Sequence, residues 1–261
     1  MNNALAYITY QSEANIKANW NGLLQAKYPL TIYVLDNAST DNGPQLLRDA
    51  GVPVHVNETN VGYTAALNQV IKAMWDKDID WLFVANPDVS MPYHWDTILD
   101  GLTSREQVGM IGTKQVDLHG NIVHSGGIIT KPQLCHLTAF YDLGNGMSVA
   151  QKDAVCPTRF RHRTTDVNVA EKVSWVTFAT VALRMKMIRE VGLLDEKLYL
   201  YSSDSKYAMQ AAKKGWECWY NPVKTFQHEG GASMRSADSV IYRKARDDIK
   251  RFAEEELLWL L

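Results

Sequence analysis

Between Ala4 and Leu102, short apolar runs alternate with stretches whose apolar residues return at helical spacing, and no other feature of the sequence restricts the fold as much. "ALAYITY" reads as a first strand, followed by a helix in "SEANIKANWNGLLQA" with Ile16, Trp20, Leu23 and Leu24 on one face. "LTIYVLD" is a second strand. A short helix then opens at Pro44, a residue suited to a first helical position, and stops at Gly51. "VPVHVN" supplies a third strand, "YTAALNQVIKAMW" a helix with the stripe Leu67, Val70, Ile71 and Met74, and "DWLFVANPDVSM" a fourth strand. "HWDTILDGL" reads as the next helix. Such alternation gives an α/β fold with a mostly parallel central sheet flanked by helices, because each helical crossover lays its apolar stripe on a face of the sheet. Sheets of this kind bind ligands in the crevice beyond the C-terminal ends of their strands. "VLD" and "ANPD" set Asp36 and Asp88 at two such ends.

The second half is less regular. "MIGTKQV" reads as another strand and "DLHGNIVHSGG" as a turn and short hairpin. Over residues 131–171 periodicity fades around the Arg/His cluster "TRFRHRTTD", expected to be an irregular loop on the acceptor side. Such a cluster is most often a solvated surface; contact with a phosphate-bearing acceptor is the other reading. Order returns in "KVSWVTFATVALRMKMIREVG" and in "SSDSKYAMQAAKKGW", a capped helix, and "CWYNPVKTFQHEGGAS" runs from a strand into a glycine-rich loop. The expected organisation is one domain over residues 1–235 and an amphipathic C-terminal helix over 236–261. The closing "LLWLL" is expected to pack on the domain or on a second copy in a homo-oligomer, with peripheral membrane contact as the alternative.

Composition excludes some classes. With 27 basic against 29 acidic residues, the chain lacks the positive excess of a nucleic-acid binder, so no nucleic-acid partner is expected. Cys135, Cys156 and Cys218 are odd in number and scattered, which suits a reducing compartment and argues against a disulfide framework or structural zinc. "MNNALAYITYQS" has neither a basic opening nor a long apolar core, and no apolar run reaches bilayer-spanning length. A cytoplasmic protein without a transmembrane segment is the expectation.

Six segments, in order, resemble the family 2 glycosyltransferases, the inverting enzymes of the GT-A fold (a Rossmann-like nucleotide-diphospho-sugar transferase fold), and among them the rhamnosyltransferase-like branch. "ITYQS" is similar to the family's opening strand, "YVLDNASTDNG" to its nucleotide-binding turn and "NETNVGYTAALNQVI" to its Asn/Gly segment and helix. "FVANPDV" is similar to its metal-binding motif, "VGLLDEKLYLYSSDSKYAMQAAKKGW" to the segment of its catalytic carboxylate, and "FQHEGGAS" to its closing histidine loop. Any one of these is weak alone; six in order are strong.

The resemblance implies roles. Asp36 would accept a hydrogen bond from a nucleobase ring N–H, which favours a UDP or dTDP sugar and leaves a GDP sugar open. Thr9 and Tyr10 would line the base pocket, Asn60 and Gly62 would lie close to the donor, and Asn86 would be oriented beside Asp88. Breaking the sugar–diphosphate bond leaves negative charge on the leaving phosphate, which a divalent cation on hard oxygen ligands offsets. Asp88 would hold that cation, Mn2+ or Mg2+. His228 would add a nitrogen ligand, which favours Mn2+, or cover the diphosphate on a loop freed by Gly230 and Gly231. Asp204 would remove the proton from the acceptor hydroxyl, on a glycan, a lipid-linked glycan or a protein, as it attacks the anomeric carbon.

The chain also departs from the family. Where relatives commonly read Glu-Asp-x-Asp, it has Ser203-Asp204-Ser205-Lys206, and Lys206 is placed to pair with Asp204 and lower its pKa. Phe178 stands where a glycine is frequent and would narrow the acceptor pocket; Gln11 replaces a common asparagine. Each site residue also has a plain structural reading. Asp36 and Ser39 can satisfy turn amides, Asp88 after Asn-Pro can shape a turn, Asp204 can cap its helix, and His228 can be a surface residue. His119, His124 and His136 lack ligand spacing and read as structural. Two rival functions remain. One is a degenerate, non-catalytic nucleotide-sugar-binding module. The other is a sugar-phosphate nucleotidyltransferase, against which "YITYQSEANIK" counts because it has no glycine to cradle phosphate.

Overall fold

The strand β1 (Asn3–Thr9) buries all of its residues, as a strand must when it has neighbours on both edges and helices on both faces. It lies at the heart of a computed structural model that describes residues 1–129, 158–159, 167–229 and 239–257. Helix α1 (Glu13–Leu23) leads to β2 (Leu30–Asp36), then α2 (Gly43–Asp49), β3 (Val54–Val56), α3 (Tyr63–Met74) and β4 (Trp81–Ala85). β1 pairs in parallel with β2 and β4, and β2 with β3, so the first half is the parallel sheet that the alternation predicts. The helices lie on opposite faces. Ile16, Trp20 and Leu23 of α1 join one buried cluster, while Leu67, Val70, Ile71 and Met74 of α3 join the other. Leu24, expected on the α1 stripe, is more than half exposed because the helix ends before it.

After β5 (Val89–Ser90), the expected helix in "HWDTILDGL" is a single 3₁₀ turn, Trp95–Leu99. Its side chains are fixed from outside: the Trp95 indole donates to the Leu23 carbonyl, and Asp96 accepts the amides of Lys27 and Tyr28. The chain then forms β6 (Val108–Val116) and β7 (Ile122–His124), the expected hairpin. β8 (Ile128–Ile129) and β9 (Thr158–Arg159) make a separate ladder. The rest of the expected irregular loop lies outside the described residues up to residue 166, and β10 (Glu171–Val173) follows it.

β11 (Thr180–Arg184) runs antiparallel between β4 and β6, so the sheet is mixed rather than purely parallel. Helices α4 (Met185–Val191) and α5 (Ser203–Lys213) precede β12 (Glu217–His228), which lies parallel to β6. The register of that pair shifts between Asn221 and Thr225, and Pro222 falls in the irregularity, where a residue without N–H removes no ladder bond. The sheet order is β10-β12-β6-β11-β4-β1-β2-β3. Helix α6 (Ser239–Phe252) and one π turn, Ala253–Leu257, end the described chain. Among the described residues, no helix is long and apolar enough to cross a membrane.

Candidate active site

β1, β2 and β4 all point their C-terminal ends the same way, and a cleft of about 370 Å³ opens there. Thr9, Tyr10, Gln11, Asn37, Asn60, Gly62, Asn86 and Asp88 take part in its lining. Asp36 does not. It is fully enclosed behind the wall, where Oδ1 accepts the hydroxyls of Thr9 (2.8 Å) and Ser39 (2.6 Å) and Oδ2 accepts the Ser39 amide. Its place is therefore the structural one, holding Thr9 and the 37–40 turn, and not direct lining of the cleft. Asn37, which the sequence reading passed over, sits beside it. Its amide links Asn57, Asn60 and the Val61 N–H, tying β2 to the segment before α3. Gly62 also has a different neighbour from the expected one. At φ +89° a Cβ would stand 2.4 Å from the Tyr199 ring, so the close approach it permits is that of Tyr199, which lines the same cleft.

Asp88 and His228 are drawn together by strand pairing. β5 begins at the residue after Asp88, and its Val89 pairs with His228, the last residue of β12. The Asp88 carboxylate is nearly buried, and its Oδ2 lies 3.4 Å from His228 Nε2. The other ring nitrogen, Nδ1, is 2.8 Å from Gln115 Oε1, an acceptor, so it carries the proton. In a neutral ring, Nε2 then turns a lone pair toward a carboxylate oxygen. Two electron-rich atoms at that distance call for a cation or a proton between them, and a histidine oriented by an amide on its far nitrogen is the usual setting of a metal ligand. Among the described residues no cluster of three or more His, Cys, Asp or Glu forms a self-sufficient metal site. Two protein ligands nonetheless fit Mn2+ or Mg2+, which complete their shells with water and phosphate oxygens. Next to His228, buried His124 accepts the Thr177 amide through Nε2, and burial lowers its pKa to about 3, so it stays neutral. Gly230 and Gly231 lie outside the described residues.

Asp204 is the second residue of α5; the cap is Ser202, at φ +62°, so the expected capping position is off by two. Burial raises its pKa to about 6, and hydrogen bonds from Ser205 and the Phe178 backbone pull only partly the other way. Lys206 is not its partner, contrary to expectation. Residues two apart on a helix point to different faces, and Lys206 Nζ binds Asp195 and Glu255, each at 2.7 Å. Phe178 does not narrow the cleft either. Its ring turns into the core, edge-on to Tyr207 at 6.3 Å. What connects Asp204 to the cleft is Tyr63, another residue the sequence reading missed. Its hydroxyl donates to the Phe178 carbonyl, and its pKa is pushed up by burial, then by the charges of Asp204 and Asp88. One phenol thus lies within electrostatic reach of both acids.

The fold is that of the GT-A glycosyltransferases. Residues 6–110 match the family model for glycosyl transferase family 2. The chain is 24% identical over 232 residues to the N-acetylglucosaminyl-diphospho-decaprenol L-rhamnosyltransferase of Mycobacterium tuberculosis (strain ATCC 25618 / H37Rv), with 83% of this chain and 72% of the relative covered. Similar solved structures include GalNAc-T7 with UDP, GalNAc and Mn2+ (TM-score 0.65, 12% identity, 97% of this chain and 48% of that one). S. aureus TarS 1-349 in complex with UDP is another (0.56, 15%, 98% and 73%). A third is the mannosyltransferase PcManGT from Pyrobaculum calidifontis with GDP-Man and Mn2+ (0.57, 14%, 99% and 71%). The chain spans about half the length of the GalNAc-T7 chain.

Proposed function

We propose that the chain is an inverting, divalent-metal-dependent glycosyltransferase that moves a sugar from a nucleotide-diphosphate donor to a hydroxyl group. The single observation that carries this reading is the pairing of two different acids around Tyr63. Asp88, beside His228, suits a cation and its diphosphate; Asp204, held at a pKa of about 6, suits proton removal. A carboxylate in that range is ionised at neutral pH yet a better base than a free aspartate. When bound to Asp88 and His228, Mn2+ or Mg2+ would offset charge on the leaving diphosphate. Thr9, Tyr10, Asn37, Asn60, Gly62 and Asn86 would meet the donor, with Asp36 stiffening the base pocket from behind. UDP or dTDP sugars are favoured and GDP sugars stay open, since solved relatives hold UDP or GDP-Man. The mycobacterial relative, by its name, acts on a lipid-linked sugar. A lipid-linked glycan is therefore the acceptor of choice here, met on the cytoplasmic side of a membrane.

The non-catalytic module loses its main support. Its argument was Ser203 and Lys206 in place of the family's acids; Lys206 is committed to three other acids and does not suppress Asp204, which leaves Ser203 as its remaining feature. Thermal unfolding with UDP, dTDP and GDP, each with and without Mn2+, tests the class. One nucleotide should raise the midpoint only with the metal; no shift with any of the three overturns the reading.

A further inference from the structure

Helix α6 lies outside the matched family segment, and one residue breaks the pattern of its buried face. Ile241, Ala245, Asp248 and Phe252 recur at helical spacing. All but Ile241 are at most 5% exposed, and Ile241 lines the cleft. An aspartate in such a stripe is costly unless its oxygens are satisfied. Asp248 is satisfied by backbone: Oδ1 accepts the Tyr199 amide at 2.7 Å, and Oδ2 accepts those of Leu200 at 2.6 Å and Tyr201 at 3.0 Å. These three amides belong to the stretch between α4 and α5 and to none of its helices or strands. Tyr199 and Leu200 line the cleft, and the Tyr199 carbonyl accepts the Thr64 amide at the start of α3. Lys244, one turn before Asp248, lies over the Tyr199 ring. The next residue after the trio is Ser202, held at φ +62°, a conformation that costs energy for a residue with a side chain. Two residues on is Asp204.

We propose that Asp248 is a positioning residue for the reaction: by gathering the amides of Tyr199, Leu200 and Tyr201, it holds the strained turn at Ser202 and so sets Asp204 and Tyr199 against the donor. This rests on the proposed transferase reading for its catalytic consequence, not for its geometry. A carboxylate acts here as a clamp because two acceptor oxygens meet three donors. An asparagine has only one acceptor oxygen and would press an NH2 against amide hydrogens. Asp204 accepts hydrogen bonds from Ser205 and the Phe178 backbone, and its charge is felt by the Tyr63 phenol and the Cys218 thiol; among the described residues these named groups include no cation. Its raised pKa therefore reports how far the surrounding protein desolvates this half-buried carboxylate.

The test uses the full chain, Asp248→Asn, and Phe252→Ala as a control that loosens the same helix without touching the clamp. In the wild type, amide hydrogen exchange over residues 199–201 should be slow although the segment is irregular, and in Asp248→Asn it should quicken there selectively. Transfer should fall by roughly 10–100-fold in kcat, beyond the loss in Phe252→Ala at matched thermal midpoint. The acid limb of the pH–rate profile should move down toward ordinary aspartate values as water reaches Asp204. Fast wild-type exchange overturns the clamp without any variant. Equal losses in both variants, or an unmoved acid limb, reduce Asp248 to a packing residue and overturn the proposal. A wild type that binds no nucleotide diphosphate and transfers nothing sinks the transferase reading, and with it the catalytic role, whatever the exchange shows.

Discussion

Burial holds Asp204 at a pKa of about 6 against 3.8 for the free group, and the same shift that improves the base weakens the fold. The folded protein binds the proton more tightly than the unfolded chain. This contribution is therefore fully present below 3.8 and is lost as pH rises through about 6. Asp204→Asn should cut transfer by ~10²–10⁴-fold, raise stability at pH 7 by roughly 1–3 kcal/mol, and flatten the stability slope between those two values. Donor-saturated kinetics and thermal unfolding across pH check both halves, and normal turnover in the variant removes Asp204 from the chemistry. At this scale the sequence was informative about identity and poor about environment. The motif around Asp204 was legible, but its partners were not, because besides Ser205 of its own helix they come from α3 (Tyr63) and from the segment between β10 and β11 (Phe178). The Lys206 pairing could have been rejected from helix geometry alone, since neighbours on a helix face are three or four residues apart, not two. Asp36 is the reverse case: its motif suggested a ligand contact, while Thr9 and Ser39 already use its oxygens.

The elements of the first half were legible because each carries its own pattern: an unbroken apolar run from Ala4 to Ile8 in β1, an i, i+3, i+4, i+7 stripe in α3. What local pattern could not give is the insertion of β11 between β4 and β6, or the pairing of two-residue β5 with the far end of β12. Those contacts join residues from 69 positions apart (Val181 with Gly112) to 139 (His228 with Val89), and no turn signal announces them. The second pairing matters most, since it alone sets His228 beside Asp88. Asp88→Ala should abolish the Mn2+-dependent binding of nucleotide diphosphate; calorimetric titration with and without Mn2+ decides, and equal metal dependence in variant and wild type removes the proposed role. At the other wall, Gly62→Ala combines a positive φ with a clash on Tyr199, and should cost about 1–3 kcal/mol of stability and raise the donor KM. Unchanged melting and KM would mean that Tyr199 moves away freely.

Across the whole molecule, the residues after α6 are tied to the middle of the chain through two lysines of α5. Lys206 on α5 holds Asp195 before that helix and both Glu255 and Glu256 after α6, while Lys213 holds Glu256 as well. The C-terminal helix that the sequence presented as an appendage therefore supplies Ile241 to the cleft and is latched beside Asp204. Charge sets when the latch holds. Asp195 and Glu255 have pKa values below the usual carboxylate range, so their contribution is present above that range and is lost as pH falls through the depressed folded values. Lys206 is shifted up by the same acids against the opposing effect of burial, so its contribution persists until pH rises through that raised value. Lys206→Met leaves three acids facing one another and should destabilise the protein at pH 7 by roughly 2–3 kcal/mol, less than a fully buried pair would because Glu255 is about a third exposed. Because acid neutralises those carboxylates, the deficit should shrink as pH falls toward 4, whereas loss of packing alone would leave it constant. Paired melts of wild type and variant at pH 7 and pH 4 separate the two. A deficit that does not change with pH would mean that the latch holds by the lysine's methylene stem and not by its charge.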